Sequence, residues 1–372
     1  ATTRKPCERP TRPIHPSATT PRPMGDALVQ TRRARAPLRL GFGGGGTDVP
    51  AYSSRYGGCV LNATISMYAY ASVAPRADGR IGIRLGSLQH RAELAPADLA
   101  ELEPRGSTAL VEGILRRFAR DYGPLPSMDL AAWSDAPPGS GLGSSSTIAV
   151  VICTVLAEIL RIPLGEYDVA RLAYEIERVE LGMSGGQQDQ YAAAFGGVNF
   201  MEFHEDGGVL VNPLRIKSSV LSELESSLIL YYTGVSRDSA KIIEDQISAA
   251  VSTPSRSLEA LHRIKQEAVA MKKHLLRGDL ASFYEAINAG WLAKKQSAHS
   301  ISNSSIENLL SGAMEAGALA AKLSGAGGGG FIMFFARPEE RSSIVERLLS
   351  SGGQVYPVSF TGTGAQHWGV NH

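Results

Sequence analysis

The sequence predicts a mixed α+β fold, with antiparallel strands and helices gathered on one side. Three observations carry this. Residues 60–73 and 331–335 are β-branched or aromatic runs of strand type, the middle of the chain shows helical apolar spacing, and glycine-rich loops separate the two with no internal repeat. At 372 residues, 43% apolar and 20% charged, the chain is long enough for two domains with substantial cores.

Residues 1–33 read as a leader. The first 35 residues hold eight Lys or Arg against Glu8 and Asp26, and proline and threonine stand where large apolar residues would be needed, so disorder is expected. Its prolines oppose an amphipathic transit helix. The net charge of +1 gives no bulk case for nucleic acid or an anionic membrane as partner. No apolar run approaches the roughly 18–20 residues that span a bilayer. Cys7, Cys59 and Cys153 are too scattered for a disulfide framework or a zinc site, so a reducing, cytoplasmic setting is the expectation.

The elements follow in order. Residues 35–42 read as a strand that opens onto the glycine run Gly43–Gly46; residues 60–73 make one long strand or two, and 81–85 another. Residues 111–122 and 147–160 are helical, and apolar residues at 169, 172, 173, 176 and 179 fit a 3.6-residue period over 167–181. A strand at 198–203 follows Gly196-Gly197. A second unit, expected over 214–372 after a first over 34–213, opens with a strand at 227–232. Helices follow near 238–250, 256–277, 279–297 and 304–322. The loop 324–330 then leads into strand 331–335, helix 338–350 and strand 354–360.

The most informative stretch is Pro137-Pro138-Gly139-Ser140-Gly141-Leu142-Gly143-Ser144-Ser145-Ser146. Glycines let backbone N–H groups approach an anion, and the helix that follows points its positive end at the same spot. The serines offer hydroxyls to phosphate or a cation, or else simply cap the helix. Residues 41–46 formally match G-x-G-x-x-G, but Pro50 interrupts early and residues 61–66 carry no carboxylate, so a dinucleotide fold is excluded. The chain has no Gly-Lys pair for a Walker loop and no H-R-D or D-F-G set.

Three blocks in order, Ala36–Asp48, Pro137–Ser146 and Lys322–Gly330, resemble the GHMP superfamily of small-molecule kinases (galactokinase, homoserine kinase, mevalonate kinase, phosphomevalonate kinase) along the chain from residue 34. Within it, Arg35–Arg39 with Gly44–Asp48, Ser184–Tyr191 with Phe195–Gly197, and Trp291–Lys295 with Ile301–Asn303 resemble the D-glycero-D-manno-heptose 7-phosphate kinases. The resemblance implies a two-domain fold, an N-terminal α+β domain with a mixed sheet and a ferredoxin-like α+β C-terminal domain. It also implies ATP and Mg²⁺, and phosphorylation of the anomeric C1 hydroxyl of the heptose 7-phosphate to the 1,7-bisphosphate, on a route to nucleotide-activated heptose. Another sugar 1-kinase (fucose, galactose or free heptose) and a non-catalytic sugar sensor stay open as alternatives. Oligomeric state stays open between monomer and homodimer.

By the same resemblance the loop Pro138–Ser146 holds nucleotide phosphates, Ser145 and Glu177 meet the metal, Asp189 is the general base and Arg39 stabilises the attacking oxygen or keeps Asp189 ionised. The bland alternatives are a solvated helix-face carboxylate for Glu177, an N-cap for Asp189 and a strand-edge charge for Arg39. Gly44, Gly45, Gly46, Thr47, Asp48 and Gly325 are expected at the substrate, Asp48 reading sugar hydroxyls. Arg55, Lys294 and Lys295 are candidates for the sugar's terminal phosphate, although a lysine pair on a helix is usually solvated. Trp291 reads as core rather than as a sugar platform.

Overall fold

In the computed structural model, residues 30–86, 90–235, 242–245 and 254–370 are described. The leader to residue 29 and most of the expected helix at 238–250 lie outside them; residues 242–245 are helical.

The first sheet has eight strands: β1 Arg32–Gly43, β2 Gly58–Pro75, β3 Ile81–Leu85, β4 His90–Leu94, β5 Met128–Ser134, β6 Val198–Phe203, β7 Val209–Pro213 and β12 Gln366–Gly369. The order is β12-β1-β2-β5-β3-β4, with β6 and β7 reached from β2. Residues 60–73 thus lie in one strand of 18 residues, and it serves two neighbours: residues 69–75 pair with β5 and residues 58–63 with β6. Only β3 and β5 run parallel, which makes the sheet mixed.

Alternation decides what each face does. Ala34, Ala36, Ala69, Ala71 and Val73 point to one core, where they meet α2 Ala109–Tyr122, α3 Ser144–Ile159, α4 Glu166–Tyr174 and α5 Gln188–Phe195. Further along β1, Leu38, Leu40 and Phe42 join a second core that also takes the near face of the other sheet. The short helix α1 Pro50–Tyr56 starts at Pro50, which fits the first turn because its missing N–H has no partner there in any case.

The second sheet has the order β11-β8-β10-β9, from β8 Leu228–Tyr232, β9 Ala320–Leu323, β10 Phe331–Phe335 and β11 Gln354–Tyr356, all antiparallel. In sequence order this is 4-1-3-2, the expected ferredoxin-like arrangement. Every residue of β10 is fully buried because both sheet faces are covered. Phe331, Met333 and Phe335 face the core shared with the first sheet, and Ile332 and Phe334 face α9 Ser304–Glu315 and α10 Arg341–Leu349. Helices α6 Ser218–Ser227, α7 Pro254–Arg277 and α8 Leu280–Ser297 complete the unit.

Two expectations are corrected. The helix read over 304–322 ends at Glu315: Gly317, at φ +104°, turns the chain, and residues 320–323 become β9 on the edge of β10. The strand read over 354–360 ends at Tyr356 before Pro357, and the tail crosses to the first sheet, where Ile65 bridges Phe360 and β12 pairs with β1. The first sheet is therefore built from both ends of the chain.

Candidate active site

The three glycine loops meet at one cleft of about 640 Å³. The second loop enters it from the end of β5 and leads into α3, whose N-cap is Gly143 at φ +79°. No side chain caps this helix, so Ser144, Ser145 and Ser146 sit in its first turn with hydroxyls free for other partners. The third loop packs against the second backbone to backbone: a Cβ on Gly141 would lie 2.5 Å from the Ser324 carbonyl oxygen. Only glycine allows that approach at φ +86°.

Asp189 lies in the first turn of α5 and does not cap it. Its Oδ1 accepts from Arg39 Nε at 2.8 Å, with the Arg39 side chain only 6% exposed. Arg39 Nη1 also donates to the Gly141 carbonyl at 2.6 Å and approaches Ser324 Oγ at 3.4 Å. One guanidinium on β1 therefore ties the second loop, the third loop and the acid together. Asp189 itself is against the second loop, for a Cβ on Gly143 would fall 3.1 Å from its Cγ.

Glu177 is fully buried, in a π-helical turn over Glu175–Glu180 that continues α4. The 3.6-residue pattern gives no hint of this local widening, which re-aims the side chain. Its Oε1 accepts from Ser145 Oγ at 2.9 Å and its Oε2 from Gln190 Nε2 at 2.7 Å. Glu177 is thus no solvated face charge.

From the first loop, Gly45, Gly46 and Asp48 line the cleft. Asp48, 2% exposed, accepts from Gly46 N at 3.0 Å and from Gln188 N and Nε2 at 3.2 and 3.3 Å. Lys294, on α8, reaches in from the other side and donates to the Gly325 carbonyl at 2.7 Å. Burial pushes its ammonium down to about 8; Asp48 and Asp189 pull the other way and Arg39 adds to the fall.

Six expected contacts are placed elsewhere. Ser140 and Leu142 are fully buried and give their carbonyl oxygens to Phe331 N and Arg39 N. Gly44 lies under the loop, where a Cβ would collide with the Cys59 carbonyl, and Thr47 Oγ1 donates to Gly44 O and Cys59 O. Arg55 is exposed at the end of α1, away from the cleft. Lys295 pairs with Glu307 at 2.8 Å, and Trp291 is core. Sequence reading passed over Gln188, Gln190, Arg178 and Glu244. Arg178 sits in a charge run that looks like a solvated helix face, and the glutamines carry no pattern of their own.

Residues 109–197 match the GHMP kinases N terminal domain and residues 271–354 the GHMP kinases C terminal domain. A D-glycero-alpha-D-manno-heptose 7-phosphate kinase of Campylobacter jejuni is 42% identical over 343 residues, spanning 92% of this chain and 100% of that protein. The chain belongs to the GHMP kinases. It is accordingly a small-molecule kinase of a family that uses ATP to phosphorylate a hydroxyl. The crystal structure of a D-glycero-D-manno-heptose 1-phosphate kinase from Bacteroides thetaiotaomicron superposes on this GHMP kinase with a TM-score of 0.77 at 41% identity, covering 92% of this chain and 100% of that one. A Lactococcus lactis galactokinase shares the fold at 17% identity and a TM-score of 0.73, over 92% of this chain and 96% of that one. No helix among the described residues is long and apolar enough to cross a membrane.

Proposed function

We propose that this GHMP kinase moves the γ-phosphoryl group of ATP to the anomeric C1 hydroxyl of D-glycero-D-manno-heptose 7-phosphate. The product would be the 1,7-bisphosphate, a precursor for nucleotide-activated heptose. The observation that carries the reading is the contact between Asp189 and Gly143: a carboxylate able to accept a hydroxyl proton stands against an amide-rich loop able to hold a phosphate chain. Phosphoryl transfer asks the protein mainly for alignment and charge, so this juxtaposition is the arrangement it needs.

Each residue then has a task. Asp189 takes the proton from the sugar hydroxyl, and Arg39, whose Nε donates to it at 2.8 Å, orients it. Asp48 accepts from sugar hydroxyls, and Lys294 with the Gly325 backbone meets the sugar's phosphate. Mg²⁺ fits the hard oxygen pair of Ser145 Oγ and Glu177 Oε1, 2.9 Å apart. Mg²⁺ keeps several waters and would share phosphate oxygens, so two protein oxygens suffice. When bound it would neutralise phosphate charge.

The relatives' names agree on a phosphorylated heptose and differ on the position, 7-phosphate in one and 1-phosphate in the other. The second name keeps a heptose 1-phosphate reading open. An ADP-release assay over heptose 7-phosphate, heptose 1-phosphate, free heptose, galactose and fucose decides, with phosphorus NMR of the product. The expected result is turnover on the 7-phosphate with new phosphate at C1. Asp189→Asn should lower kcat by about 10²–10⁴ with the KM for ATP nearly unchanged. Preference for a free sugar overturns the substrate, and retained turnover in Asp189→Asn overturns the base.

A further inference from the structure

The charges of the cleft leave one cation without a task. Its described lining holds four acids, Asp48, Glu177, Asp189 and Glu244, against three cations, Arg39, Lys294 and Arg178. Arg39 is bound to Asp189, and Lys294 sits at Gly325 and Gly45, on the Asp48 side. Among the described lining residues, Arg178 is the cation at the serine end. Its Nη2 donates to Ser146 Oγ at 3.0 Å, and its Nη1 donates to the carbonyls of Ser184 at 3.1 Å and Met183 at 3.3 Å and lies 3.5 Å from Glu177 Oε1.

These bonds do not exhaust the side chain. A guanidinium has five N–H donors, and the protein takes three. Nε is buried with no hydrogen-bond partner among the described residues, a costly state for a charged donor. The side chain is 12% exposed, so it has not turned out to water as a helix-face arginine would. Room is cleared for it as well: a Cβ on Gly185 would collide with the guanidinium. Gly185 has no positive φ, so space rather than backbone conformation is what a small residue supplies there.

We propose that Arg178 binds the terminal phosphate of the nucleotide and stabilises its charge during transfer. This rests on the ATP reading above. Nε–H and the remaining Nη2–H lie side by side on the planar fork, a bidentate match for two phosphate oxygens that an ammonium does not make; Nε lies against Gly185, so the pair engages when that segment shifts. A triphosphate adds negative charge to a described lining that already holds more acids than cations, and it would do so beside Ser145 and Ser146, where Arg178 is.

The test uses the full chain with Arg178→Gln, Arg178→Lys and Gly185→Ala. Kd for ADP and for AMPPNP is measured by calorimetry, kcat and KM by ADP release, and folding by Tm. Arg178→Gln should lower kcat by about 10²–10³, as loss of one preorganised donor does, and should abolish the affinity difference between AMPPNP and ADP. Arg178→Lys should recover part of kcat. Gly185→Ala keeps the charge but displaces it, and should lose the same discrimination even if Arg178→Gln fails to fold. Wild-type kcat in Arg178→Gln, or AMPPNP and ADP affinities that weaken in parallel, would reduce Arg178 to a strut for residues 183–184 and overturn the proposal. A wild-type chain that binds neither nucleotide sinks the ATP reading itself, visibly and separately.

Discussion

Lys294 is 7% exposed, yet it carries an ionisable group into the cleft. With its folded pKa at about 8 and its ordinary value at 10.5, both folded and unfolded chains bind the proton at pH 7, and the burial penalty is carried in full. Between about 8 and 10.5 the unfolded chain binds more protons than the folded one, so Lys294 makes stability rise with pH across that window. Activity should move the other way. As the ammonium empties above about pH 8, the KM for the sugar phosphate should rise, while Lys294→Arg, permanently charged, should flatten that limb. A KM independent of pH from 7 to 9.5 in the wild type would remove Lys294 from the substrate. At this scale the sequence was readable where the resemblance to a known family marked the positions. Asp189, Glu177, Arg39 and Asp48 all face the cleft. It was silent where a common residue gains its role from a partner far along the chain: Gln188 matters because Asp48 comes to it, and Gln190 because Glu177 does.

Elements were legible where period and punctuation agreed, as in β1, β2, α3 and β10. They were misread where propensity and tertiary pairing compete. Residues 318–323 are rich in Ala and Leu, good helix formers, yet Gly317 stops the helix and β10 offers an edge to pair with. The 3.6-residue pattern through Leu181 likewise could not reveal the π turn that aims Glu177. The glycine loops permit a sharper experiment. Gly141 and Gly207 both have positive φ, +86° and +84°, but Gly141 abuts the third loop while Gly207 has open space around it. Gly207→Ala should therefore cost only the left-handed strain, about 1–2 kcal/mol. Gly141→Ala must also move Ser324, which should add to that loss and raise the KM for ATP. Equal Tm shifts for the two variants would show that the loops do not support one another.

At the scale of the molecule, the two units are joined by more than the cleft. Lys322, buried on β9, donates to the carbonyls of Gly41 and Phe42 at 2.6 and 2.9 Å, stitching the second sheet to the end of β1. The tail does the same in reverse. After β11 it crosses to the first sheet, where Phe360 packs on Phe42, Thr64 Oγ1 donates to Thr361 O at 2.7 Å and β12 covers the edge of β1. On the way it grips the end of α5: Gly197 N donates to Thr361 O at 3.1 Å and Ala365 N to Ala194 O at 3.1 Å. That helix has eight residues, too few to hold its shape alone, and Asp189 is in its first turn. Its start is tied by Asp189 to Arg39, and its end by the tail. Gly364 is the tightest point, because a Cβ there would strike the Ala194 carbonyl. Gly364→Ala, distant from every cleft-lining residue in the sequence and bonded to none of them, should therefore peel the tail. We expect a lower Tm, faster amide exchange at residues 32–35 and 194–197, and a kcat reduced more than the KM for ATP is raised, since the loop proposed to hold phosphate stays in place while the proposed base, Asp189, loses its footing. Unchanged exchange at residues 194–197 alongside a lower Tm would mean that the tail stabilises the sheet and leaves α5 to stand by its own contacts.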